Sequence, residues 1–177
     1  MKKYKNTIII SIVSVLLVIF VVSLPFLYFL HVSTWKYKVE DFDRFENDFE
    51  TMIDFTKEYF ESKETDLATK KFIYTGYDTV SKNYTLWDYS VEDPQKIDIT
   101  KEVQASLNVI ANSAFDQRVD SNFHSISYHA DKICFGIDNG QYCLVYTFND
   151  NKPKFEGESK RVYTDKIKEN WYHVVFR

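Results

Sequence analysis

Glycine, proline and cysteine are all scarce in this 177-residue chain, at four, three and two residues. Four scattered glycines cannot build a glycine-rich phosphate loop, and low Gly and Pro together argue against a disordered or low-complexity chain. Two cysteines are too few for a multi-bridge disulfide scaffold. No Cys-x-x-Cys or His-x-x-x-His pairing accompanies them, so no zinc ligand set is present and neither metal nor cofactor is expected. A G-x-S-x-G nucleophile elbow and a Gly-rich oxyanion loop are missing as well. With no complete catalytic constellation, the chain reads as a non-enzyme. Positive charge is the last shortage. The net charge is −4, and Lys2, Lys3 and Lys5 all lie at the extreme N-terminus, so residues from 31 onward carry 19 basic and 26 acidic side chains, a net −7. Such a domain does not attract nucleic acid or anionic lipid through bulk electrostatics.

Apolar and aromatic residues are plentiful. Residues 8–30 form 23 positions without a charge, IIISIVSVLLVIFVVSLPFLYFL. As a helix they would be roughly 34 Å long at 1.5 Å per residue, enough to cross a hydrocarbon core of about 30 Å. Ser11, Ser14, Ser23 and Pro25 are tolerable in such a helix, and Tyr4, Tyr28, Trp35 and Tyr37 sit where amphipathic rings favour the headgroup layer. A cleaved signal peptide would have a shorter apolar core and a small-x-small site. The exit here reads FLHVSTW, so an uncleaved anchor is expected. Lys36, Lys38 and Arg44 follow the run, but the three lysines before it lie closer, and long following domains translocate largely regardless of charge. The expected layout is a cytoplasmic basic tail at 1–7, a single-pass transmembrane helix in the lipid bilayer at 8–30, a juxtamembrane stalk at 31–38 and an extracytoplasmic domain at 39–177 in the cell membrane of a bacterium.

The outer domain reads as α+β, with two helices packed on an antiparallel β-meander of about five or six strands. Between residues 39 and 63, Val39, Phe42, Phe45, Phe49, Met52, Ile53, Tyr59 and Phe60 recur at helical steps, opposite an acidic face of Glu40, Asp41, Asp43, Glu46, Asp48 and Glu50. The helix is expected nearly to continue the membrane span. Lys71–Tyr77 reads as a strand, and a short strand follows, ending by Pro94. Asp98 or Thr100 offers an N-cap for a second helix through Val103, Leu107, Ile110 and Ala114. Strands are then expected near 123–129, 132–137, 141–148, 160–167 and 170–176, the last apolar on both faces and central.

Asn139-Gly140 is a strong type I′ hairpin signal. It places Ile137 against Tyr142, Phe135 against Leu144 and Ile133 against Tyr146, all on the core face. The same register sets Cys134 against Val145 and Cys143 against Gly136, so the two cysteines are diagonal neighbours about 7–8 Å apart. A four-residue loop would set them directly opposite. Cys134 and Cys143 are therefore the candidate disulfide, with the register deciding. His124 and His129, five apart on one strand, should face opposite sides. His173 reads as a satisfied core histidine. Ser125 and Ser127 near the histidines, the carboxylates Asp78, Asp88 and Asp120, and the Asn83-Tyr84-Thr85 sequon complete the candidates, none of them forming a site by spacing alone.

The run ICFGIDNGQYCLVYTFNDNKPKF and the terminal KIKENWYHVVFR resemble small membrane-anchored proteins of Firmicute-type bacteria. These share a hairpin of Tyr-rich strands, a Lys-Pro turn and a closing Asn-Trp-Tyr strand. The resemblance covers about 55 residues and implies an architecture without an assigned activity. Three readings of function follow. One is a protein-interaction module using a Tyr-rich sheet face, with an immunity-like version that neutralises an envelope toxin. The second is a small-ligand or enzymatic domain of cone-shaped α+β type, which requires a deep polar-lined cavity. The third is a structural subunit of a membrane complex.

Overall fold

A computed structural model describes residues 19–21, 23–24, 39–63, 71–115, 123–137, 142–155 and 162–176. The chain divides into two compact units, Met1–Lys36 and Tyr37–Arg177. In the first, residues 19–21 and 23–24 are helical, and the Ser23 hydroxyl donates to the Phe20 carbonyl at 3.0 Å, which is how an apolar helix accommodates a serine. Among the described residues no helix is long and apolar enough to cross a membrane. The rest of the run at 8–30, the tail at 1–7, the stalk at 31–38 and the Asn139-Gly140 turn lie outside the described residues.

In the second unit, helix α1 spans Phe42–Glu61 and buries Phe42, Phe45, Phe49, Met52, Ile53, Thr56 and Phe60. The buried threonine is satisfied by donating to the Met52 carbonyl at 2.6 Å. The helix does not run on from the residues before it. Val39 and Glu40 are non-helical, and Asp41 is left-handed at φ 55°, so the chain turns sharply into the first helical residue. Strands β1 (Lys71–Asp78), β2 (Asn83–Asp88) and β3 (Gln95–Ile97) follow. Helix α2 (Lys101–Val109) is capped by Thr100, whose hydroxyl accepts the Val103 N–H at 3.2 Å. It widens into a π-helical turn at Ile110–Ala114. Then come β4 (Phe123–Tyr128), β5 (Lys132–Ile137), β6 (Tyr142–Thr147), β7 (Val162–Lys168) and β8 (Trp171–Phe176).

The fold is α+β with one eight-stranded antiparallel sheet in the order β3-β2-β1-β4-β5-β6-β8-β7. This corrects the expected five or six strands and the plain meander. β3 is only three residues at an edge, too short to signal itself, and β8 inserts between β6 and β7. The inserted strand is the apolar WYHVVF, buried from Trp171 to Val175, so its interior position was legible. Pairing of β5 with β6 follows the expected register, with Phe135 opposite Leu144 and Cys134 opposite Val145.

One face of the sheet receives the helices. Phe49 meets Phe135 at 5.1 Å, Trp171 at 5.8 Å and Phe115 at 6.1 Å, all edge-on. Tyr142 is buried on this face, hydrogen-bonded to His173 Nδ1 and accepting the Val39 N–H at 3.3 Å. That contact ties the chain ahead of α1 to the sheet and gives His173 its structural role.

The far end of α1 is bolted by a buried charge. The Asp88 side chain is fully buried and accepts from Lys63 Nζ at 2.6 Å, from the Tyr59 hydroxyl at 2.8 Å and from the Ser90 N–H at 2.8 Å. Tyr59 and Lys63 lie one helical step apart, so both reach the same carboxylate. Burial pushes the Asp88 pKa up, but the hydrogen bonds from Lys63, Ser90 and Tyr59 outweigh it and hold the carboxyl below its usual range. A depressed carboxylate contributes stability that is fully present above its unfolded value, about 3.9, and is lost as pH falls through the lower folded value. Asp88→Asn is expected to destabilise the full-length protein by about 3 kcal/mol at pH 7, since it removes the charge from a fully buried carboxylate that accepts from Lys63, Tyr59 and Ser90. The gap between variant and parent should shrink as pH drops below about 4. Denaturant unfolding in detergent, followed by tryptophan fluorescence at pH 7 and pH 3, reads both numbers; a gap that is the same at both pH values contradicts the assignment.

Candidate functional site

The sheet's other face is treated differently in its two halves. Over β5, β6 and β8 it is sealed by the chain itself. Cys134, Cys143, Val145, Tyr172 and Val174 are buried there, with Phe155, Val162 and Phe176 packed on them. Phe155 meets Phe176 edge-on at 5.0 Å, and Lys132 Nζ lies 5.2 Å from the Phe155 ring centre. The connection bearing Phe155 is held by Asp150, left-handed at φ 50°. Its carboxylate accepts the Asn170 N–H at 2.7 Å and Lys166 Nζ at 2.6 Å, and its carbonyl accepts the Tyr172 hydroxyl at 2.9 Å.

Over β1 and β2 the face carries a cleft of about 510 Å³ lined by Tyr74, Thr75, Gly76, Trp87, Tyr89, Pro94 and His124. Strand alternation produces it. Ile73, Leu86 and Asp88 point to the helices, so Tyr74, Trp87 and the following Tyr89 point away. Tyr74 sits edge-on between Tyr89 at 4.7 Å and His124 at 4.9 Å. A Cβ on Gly76 would lie 3.3 Å from Thr85 Oγ1, so the glycine leaves room for the hydroxyl that holds the indole. The indole N–H donates to Thr85 Oγ1 at 3.1 Å, and that hydroxyl donates to the Gly76 carbonyl at 3.0 Å. The polar edge of Trp87 is thus satisfied within the hairpin while the ring remains 36% exposed; Tyr89 is 51% exposed. None of the lining side chains is a carboxylate, lysine or arginine, in a domain whose net charge is −7. The arrangement offers aromatic surface with little rotamer freedom left to lose, the property that makes Trp and Tyr anchors of protein contacts.

No family model, curated protein or solved structure matches this chain. The site is therefore read from its own residues.

The other candidates fall into place around these two halves. Cys134 and Cys143 are buried and not joined in a disulfide, in the diagonal register rather than directly opposite. His124 and His129 do not take opposite faces. A bulge between Phe123 and Ser125 breaks the alternation, turning His124 onto Tyr74, while His129 Nε2 lies 3.2 Å from Ser127 Oγ on the same outer face. The close approach at this bulge depends on Gly136, where a Cβ would fall 2.8 Å from Ser125 Oγ. Asp78 caps the β1–β2 turn, accepting the Val80 N–H at 2.9 Å, and Asp120 lies outside the described residues. Asn83 accepts from the Asn108 side chain at 3.0 Å, part of a seam in which Gln104 and Asn108 stitch α2 to β2. Among the described residues, no group of three or more His, Cys, Asp or Glu is placed to hold a metal ion.

Trp87 was not singled out by spacing, although its alternation with Tyr89, and that of Phe72 with Tyr74, is the signal that marks it. Its role and that of Trp171 separate by stability. Trp87→Ala is expected to cost below about 1 kcal/mol of folding free energy. Trp171→Ala, which empties the core between Phe42, Phe49 and Phe135, should cost about 3–5 kcal/mol. Equilibrium unfolding of the two variants checks this, and a Trp87 variant as damaged as the Trp171 variant would make the cleft a piece of core.

Proposed function

We propose that this chain is a membrane-anchored protein-interaction module, held by residues 8–30 with its N-terminus in the cytoplasm and its α+β domain outside, and that the Tyr74–Trp87–Tyr89 cleft is its contact surface. The observation that carries the reading is the exposed aromatic cleft, lined by no carboxylate, lysine or arginine, on an otherwise acidic domain. Its occupant is an uncharged segment of another protein with an aromatic or aliphatic anchor, because the lining offers mainly ring faces. The resemblance to small anchored proteins of Firmicute-type bacteria agrees with this layout. The immunity-like version, in which the partner is an envelope toxin, is one form of the reading, and tethering would raise the effective concentration where such a toxin acts.

The anchoring rests on the 23-residue uncharged run and the three lysines before it. The small-ligand alternative loses ground on packing. Phe49, Met52, Phe135 and Trp171 are each at most 2% exposed and fill the space between helices and sheet where a deep pocket would lie.

The test is co-purification of tagged full-length protein from its native membrane, after an alkaline wash that strips peripheral proteins. The parent should stay in the membrane fraction and retain a stoichiometric partner, and the double variant Trp87→Ala/Tyr89→Ala should lose at least about tenfold of it, the effect of a single hot-spot contact of about 1.4 kcal/mol or more. A partner held equally by parent and double variant sinks the cleft. Release of the chain by the alkaline wash sinks the anchor. Replacing residues 8–30 by an unrelated anchor should leave the partner bound; its loss would favour the structural-subunit reading.

A further inference from the structure

The sealed half of the outer face holds chemistry that a contact surface does not use. Cys134 on β5 and Cys143 on β6 are two residue pairs apart, on the same face and in the same buried cluster. The residue directly opposite Cys143 is Gly136, so no side chain stands on that rung between the two sulfurs. On its other flank Cys134 is paired with Ser127, whose Oγ lies 3.2 Å from His129 Nε2. His129 is only half-buried, at the turn that follows β4, and gives this otherwise closed cluster an edge toward solvent.

We propose that Cys134 and Cys143 form a peroxide-responsive dithiol, with Cys134 the attacking thiolate and Cys143 the resolving thiol. Hydrogen bonding from Cys143 favours the Cys134 thiolate, burial opposes it, and His129 and Ser127 favour it further; together they bring its pKa down to about 6. The thiolate attacks one oxygen of hydrogen peroxide. The S–O bond forms, the O–O bond breaks and the other oxygen leaves as hydroxide, which takes a proton to become water. Cys143 then attacks the sulfenic sulfur, the S–S bond forms, and the hydroxyl departs as a second water. Two thiols are oxidised by two electrons and one peroxide is reduced to two waters. The diagonal register places the Cα atoms about 7–8 Å apart, beyond the usual disulfide span of up to about 6.8 Å. The bond must therefore draw the two cysteines along the strands, shearing β5 locally against β6, and a strained disulfide is readily reduced. The pair acts as a reversible switch instead of a permanent staple.

The experiment uses reduced full-length protein in detergent, treated with hydrogen peroxide, denatured, alkylated and weighed intact, with peptide mapping. The expected product is two daltons lighter, takes up no alkylating agent, maps to a Cys134–Cys143 link and returns to two alkylatable thiols under a mild dithiol. In Cys143→Ser, which keeps a hydroxyl to hydrogen-bond Cys134, a sulfenic acid should be trapped on Cys134, at least about tenfold faster than any adduct forms on Cys143 in Cys134→Ser, because the thiolate is the reacting form. Wild-type thiols that stay alkylatable overturn the proposal without reference to either variant. So does direct conversion to sulfinic acid with no linked product. Protein that purifies already bonded and resists the mild reductant is a staple, and overturns it as well.

Discussion

Everything in the domain follows from where α1 seats its phenylalanines. Phe42, Phe49 and Phe60 are bound to one face of the sheet by ring contacts with Trp171, Phe135 and Tyr128, and Phe49 is wholly withdrawn from solvent. Burying a side chain of that size is worth about 1.5–3 kcal/mol. Because side chains alternate along a strand, that choice of face also dictates which residues of β1, β2 and β4 to β8 remain on the other side. The outer face is thus a consequence of the core and has no separate specification.

Polar groups then fix what apolar packing leaves free to slide. Rings on a sheet tolerate small translations of a helix, whereas Asp88 does not: its carboxylate must meet Lys63, Tyr59 and the Ser90 N–H together. A second seam, Gln104 and Asn108 against Tyr84 and Asn83, sets the rotation of α2. Asp150 performs the same service for the long connection before β7. In each seam a short polar side chain reaches across more than fifteen residues of sequence, and these contacts decide register where hydrophobicity alone is indifferent.

Local patterns in the sequence accounted for much of this. The helical period of the Phe stripe, the Thr100 cap, the strand runs and the β5–β6 register all stand in the structure, because each is written in neighbouring residues. What stayed hidden depends on contacts distant in sequence. Asp88 looked like any other carboxylate until the fold placed α1 beside it. β3 is too short to carry a pattern, and although the apolar β8 read as interior, its placement between β6 and β7 rests on a pairing with β6 across the intervening chain. The bulge at Phe123–Ser125 broke an alternation argument about His124 and His129 that was sound for a regular strand. Tyr74, Trp87 and Tyr89 lay in plain view as alternating aromatics, but their openness depended on which half of the sheet the chain would cover.

That coverage is the strongest argument for a partner. Both halves of the outer face present large apolar side chains, which water disfavours equally. On the β5–β6–β8 half the chain spends the connection through Phe155 to exclude water, and Asp150 holds that connection in place. On the β1–β2 half no described segment does so. Gly76 instead leaves room for the Thr85 hydroxyl, and that hydroxyl satisfies the indole N–H from within, so that Trp87 can stay exposed without an unmet polar group. A fold that seals one half of a face with an aromatic of its own, while the aromatics of the other half stand uncovered by any described segment, supports the proposal that a second protein contacts that half.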